Sequence, residues 1–210
     1  MIAAGSLEFA LSRMQARLSR RPSEGTWAAI EEARSLVPIY DAVRGTSLER
    51  LLAALPPEPD LPDVDRAART AWSRTVAEAA SWMPPEWGAA LAWCDSAADP
   101  SPSVAPHPTL LPSLSHPEWR NRWPPGEDDP GLDELAKRFR DHLARFRIAP
   151  VHEADALRRG FEERLLALFR RRPVQAAAAF AWLSLAALDL ERLRGEIERR
   201  IAFPEARIAA

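Results

Sequence analysis

The sequence predicts an all-α protein, an irregular multi-helix bundle of about seven to nine helices with a long proline-rich loop. Three observations point there. Apolar residues recur at spacings of three and four along most of the chain, the period of one helix face. No run of alternating β-branched residues is long enough for a strand. Nine prolines crowd between Pro100 and Pro130, too many for a helix or a central strand.

The first helix is expected from Ser6 to Arg20, capped by Ser6, with Leu7, Leu11, Met14 and Leu18 as its apolar stripe. Arg13, Arg17 and Arg20 follow a second stripe on another face. Pro22 ends the helix by denying the α conformation to Arg21. A second helix fits Ser23 to Arg34, with Trp27 and Ile30 inward. A third runs from Ser35 to Val43, where Pro38 sits in the first turn and its missing N–H does least harm. Gly45 breaks the chain, and Thr46 or Ser47 caps a short helix through Leu55.

The stretch from Pro56 to Pro62 reads as a connector. Asp63 or Asp65 then opens a long helix to Trp82, with Val64, Ala68, Trp72, Val76 and Ala79 on one face. Pro84-Pro85-Glu86 starts another, whose apolar positions are Trp87, Leu91 and Cys94. Tryptophans at helical spacing are expected to pack in a core. Trp119 and Trp123, inside the proline-rich stretch, indicate that part of it docks on a surface. Helices resume from Leu132 to Arg147, with Leu135, Phe139, Leu143 and Phe146 facing in. They continue from Val151 to Arg171, with Leu157, Phe161, Leu165 and Leu168 inward, and again from Pro173. In the last helix Leu190, Leu193, Ile197 and Ile201 line one face, while Arg194 and Glu198 sit four apart on the solvent side. Residues 1–95 thus form an N-terminal helical region, 96–130 a loop or linker, and 131–210 a C-terminal helical region packing with the first as one body.

Composition narrows the function. A net charge of −2 argues against a nucleic-acid binder. Cys94 is the only cysteine, so neither an intrachain disulfide nor a cysteine-rich metal site can form. The first residues lack the charged and apolar regions of a secretory signal. The longest apolar run, Val174 to Leu188, falls short of the roughly 20 residues a spanning helix needs. A soluble, cytoplasmic protein with no direct membrane span is expected, peripheral to a membrane only through a partner complex.

No catalytic residue is nominated, and no metal or cofactor is expected. His107 and His116 lie in the proline-rich stretch, and His142 and His152 lack a histidine partner at i,i+4. Glu127-Asp128-Asp129 has the charge to hold Mg²⁺, yet acids just before a helix serve as caps for its amides. Phosphate-binding loops and nucleophile elbows are missing from the sequence.

Two segments resemble a family of V/A-type ATPase components, the C/d connectors between central stalk and membrane ring. One is Ala10-Leu-Ser-Arg-Met-Gln-Ala-Arg17, followed by Trp27 to Val43 and Thr46-Ser-Leu48. The other places Asp189, Leu193, Arg194, Ile197, Pro204, Glu205 and Ile208 in the family's C-terminal order, with Arg192 where the family commonly has asparagine. The resemblance implies a non-catalytic component that couples the central stalk to the membrane ion-carrying ring by surface complementarity. Candidate interface residues are Arg13, Arg17, Trp119, Trp123, Asp189 and Arg194. The alternative is a helical adaptor or regulatory protein, unrelated to rotary ATPases, that presents Trp119 and Trp123 to a partner.

Overall fold

The computed structural model describes residues 5–96, 114 and 116–203. Among these the chain is all-α, with ten α-helices and no strand. The helices are α1 (Leu7–Leu18), α2 (Glu24–Glu32), α3 (Leu36–Val43), α4 (Glu49–Leu52), α5 (Leu61–Trp82), α6 (Gly88–Ser96), α7 (Pro117–Arg120), α8 (Pro130–Ile148), α9 (Ala154–Arg171) and α10 (Ala176–Ala202). Short 3-10 turns, Pro85–Trp87 and Val151–Glu153, lead into α6 and α9. Eight of the ten helices are longer than two turns, within the expected seven to nine; α4, where a short helix after Gly45 is expected, and α7, inside the proline-rich stretch, are single turns of four residues. His107, Pro204, Glu205 and Ile208 lie outside the described residues, as do residues 97–113 and 115 of the proline-rich stretch.

N-cap side chains mark where five of the ten helices begin. Ser6 accepts the Phe9 amide, and Ser23 accepts the Thr26 amide at 3.1 Å. The start of α5 differs from expectation: Asp60 is its cap, and Asp60 and Asp63 each bond the other's backbone amide in a capping box. Leu61 and Pro62 therefore belong to the first turn rather than to the connector. At the other end, α10 starts at Ala176, not Pro173, because Val174 adopts a left-handed φ of 68° between them.

α10 is the central helix. Every residue from Ala176 to Leu185 is buried, so this half has no solvent face. It packs against α5 on one side, α9 and α8 on another, and α1 beside α5. Its alanines let neighbours approach closely. A Cβ added at Gly131 of α8 would lie 2.7 Å from the Ala177 Cβ, so α8 crosses here only with glycine. Leu190, Leu193 and Ile197 are buried as the periodicity requires, while Ile201 is half-buried.

The tryptophans are core residues. Trp72, Trp82 and Trp87 are buried, and the Trp72 indole donates to the Cys94 carbonyl at 3.2 Å. Trp119 meets Trp123 edge-on at 5.2 Å and Phe180 of α10 at 5.1 Å, which docks α7 against the central helix. α8 departs from its predicted face near its end. His142 is buried and Phe146 is 48% exposed, because residues 144–148 are exposed on every side and project past the bundle.

Candidate functional site

Arg21 lies just beyond α1, held in a non-helical position by Pro22. Its guanidinium reaches inward to two helices. Nε donates to Asp189 Oδ2 and Nη2 to Asp189 Oδ1, each at 2.7 Å, and Nη2 also donates to Glu162 Oε1 at 2.6 Å. This bidentate fork joins the end of α1 to the middle of α10 and to α9. Burial alone favours loss of the Arg21 proton, but the Asp189 and Glu162 carboxylates outweigh it and hold the group above the ordinary arginine range. Burial pushes the Asp189 carboxyl up, and the Arg21 fork draws it partly back.

Beside this pair opens a groove of about 360 Å³ between α1, α4, α5 and α10. Trp182, Ala186 and Leu190 line its α10 side, and arginines dominate the polar remainder. Glu78 of α5 holds two of them on a single oxygen, Arg50 at 2.6 Å and Arg17 at 3.2 Å. Arg20 donates to the Gly45 carbonyl at 3.2 Å. The charged groups facing the groove are thus already engaged, with one another or, for Arg20 and Glu49, with the Gly45 backbone, an arrangement suited to holding shape.

Of the six candidate interface residues, Arg17 and Asp189 meet on this groove. Arg13 is exposed nearby, its guanidinium 5.6 Å from the centre of the Trp82 ring. Trp119 and Trp123 are buried, 1% and 9% exposed, so they hold the chain's own elements together and are not presented to a partner. Arg194 also departs from the expected solvent side. It is buried among Asp65 at 3.1 Å, Glu191 at 3.0 Å and Glu198 at 3.6 Å, tying α10 to α5.

Arg200 carries no distinguishing sequence signal. It bonds the Ala33 carbonyl at 2.8 Å and those of Ile30 and Glu31, closing the C-terminal end of α2 from another helix. Asp129 uses its two oxygens on the amides of Gly131 and Ala177, which realises the capping role considered for the acidic cluster. His142 stacks on Phe161 at 4.1 Å and 6°. Burial, reinforced by the nearby Arg164 charge, lowers its pKa to about 4. Burial likewise pushes the Cys94 thiol well up, which makes it a poor nucleophile.

Among the described residues no group of three His, Cys, Asp or Glu side chains is placed to hold a metal ion. No described helix is long and apolar enough to cross a membrane. Comparison with protein-family models, with curated proteins and with solved structures gives no match to this chain.

Proposed function

We propose that the chain is a non-catalytic helical body that acts by contact with other proteins, and specifically a coupling component of a V/A-type rotary ATPase. In that role it links the central stalk to the membrane ion-carrying ring and needs no cofactor. One observation carries the reading: the two segments that resemble the C/d connectors, in α1 and α10, lie side by side and are clamped through Arg21 and Asp189. A torque-bearing part needs its helices locked to one another, and bidentate arginine forks between distant elements supply that. Arg13, exposed on α1, and Arg17 at the groove are the residues of this segment placed to meet a neighbour.

The adaptor reading draws on a different observation. Val37 and Tyr40 of α3 are exposed at 70% and 37%, an apolar pair on a different helix from Arg13 and Arg17. One experiment separates the two. The tagged chain is purified from its native host in mild detergent, alongside Arg13→Glu/Arg17→Glu and Val37→Asp variants. Rotary ATPase components recovered in fixed ratio, and lost with the double arginine variant, support coupling. A different protein lost with Val37→Asp supports the adaptor, and recovery as a lone monomer rejects both.

A further inference from the structure

The antiparallel pair α8–α9 is the basic pole of this acidic protein. Residues 130–172 hold 11 of the 28 basic side chains but only 7 of the 30 acidic ones, so the rest of the chain is clearly negative. A groove of about 300 Å³ runs between the two helices, lined by Lys137, Arg138, Arg145 and Arg164 with Glu134 and Asp141. Arg138 is taken up by Glu134. Lys137, Arg145 and Arg164, by contrast, form no ion pair or side-chain hydrogen bond among the described residues. All three are therefore available to an anion at the groove. Lys137, Asp141 and Arg145 follow one another at four-residue spacing, hence on one face of α8, and Arg164 faces them from α9.

Directly beyond the groove the end of α8 projects from the bundle. Its sequence there, Arg145-Phe-Arg-Ile148, alternates cations with large apolar groups. Phe146 is 48% exposed and Ile148 85%, with Arg147 exposed between them. An apolar tip ringed by arginine suits the boundary between lipid headgroups and acyl chains, where each kind of side chain finds its own environment. An acidic protein surface would satisfy the arginines but leave this exposed tip without a specific place.

We infer that the α8–α9 groove binds the phosphodiester headgroup of an anionic lipid, with Lys137, Arg145 and Arg164 on the phosphate and Phe146 and Ile148 entering the bilayer interface. Contact would be peripheral. Asp141 offsets part of the positive charge, and Glu153 and Asp155 flank the tip, so binding is moderate and falls with salt.

The test is co-sedimentation of the full chain with vesicles of phosphatidylcholine alone and with about one-third phosphatidylglycerol. Binding is expected only to the anionic vesicles. Lys137→Gln/Arg145→Gln should weaken it at least tenfold and Ile148→Ser about threefold, whereas Arg44→Gln, an exposed arginine just after α3, should leave it unchanged. Circular dichroism confirms that each of these surface variants is folded. No preference for anionic vesicles would overturn the inference. So would equal loss with Arg44→Gln, which means unspecific charge attraction, or groove binding of inorganic phosphate without vesicle binding. Retention on an acidic protein column but not on vesicles would assign the pole to a protein partner instead.

Discussion

Asp129 and Ala177, 48 residues apart, are joined by a hydrogen bond of 3.1 Å from the Ala177 amide to Asp129 Oδ2. The other oxygen, Oδ1, accepts the Gly131 amide at 2.8 Å. One buried carboxylate therefore caps the first turns of both α8 and α10, at the point where Gly131 lets them touch.

Asp129→Ala strands two buried amides at once and should destabilise the fold by about 2–4 kcal/mol, more than loss of an ordinary cap. Asp129→Asn keeps one acceptor and should lose about half as much. Urea unfolding followed by circular dichroism measures both, and equal stability of the three proteins would contradict the shared cap.

Gly131→Ala places a methyl against Ala177 and Asp129 and should cost about 1–3 kcal/mol. Combining it with Ala177→Gly should recover part of the loss, since the nearest contact is removed while the Asp129 contact stays. Additive losses in the double variant would mean that the helices do not meet at this point.

Arg21→Ala leaves Asp189 buried without its fork and should destabilise by about 3–5 kcal/mol. Arg21→Met/Asp189→Leu removes both charges and should be less harmful than Arg21→Ala alone. The coupling energy from the full cycle of unfolding measurements decides it; a coupling near zero would show the pair contributes little to holding α1 on α10.

Arg200→Ala opens the end of α2 and should cost about 1–3 kcal/mol. Arg200→Lys should rescue little, because three carbonyls are reached by a guanidinium fork that an ammonium cannot reproduce. Hydrogen exchange should quicken in α2 before the rest of the chain, and a uniform change would argue against a local cap.

The His142 imidazole has a depressed folded-state pKa of about 4, so the fold binds its neutral form preferentially. Its stabilising contribution is present above the unfolded value of about 6.5 and is lost as pH falls from there towards 4. With partial solvent screening the loss should be on the order of 1–2 kcal/mol. Stability profiles between these pH values should flatten in His142→Phe, and an unchanged slope would place the titration elsewhere.

The candidate site is only half legible in the sequence. Asp189 and Arg17 stand out by order within a helix, yet their partners Arg21 and Glu78 do not, because nothing local distinguishes one arginine or glutamate from many. Trp119 and Trp123 do dock the described part of the proline-rich stretch around α7, but their burial around Phe180 takes them out of any partner surface. Spacing alone points Phe146 inward, since periodicity cannot tell how far a helix extends beyond the elements that cover it.

Most helix positions, the cap at Ser6 and the buried stripe of α10 were determined by sequence alone. They arise from interactions within about four residues of the chain, which the order of residues states directly. Only the tertiary structure decided that Arg194 is buried, and that Arg21, Glu162 and Asp189 meet. These outcomes depend on which distant surfaces come together: the Asp189 carboxylate on α10 meets Arg21, 168 residues away at the end of α1, at 2.7 Å.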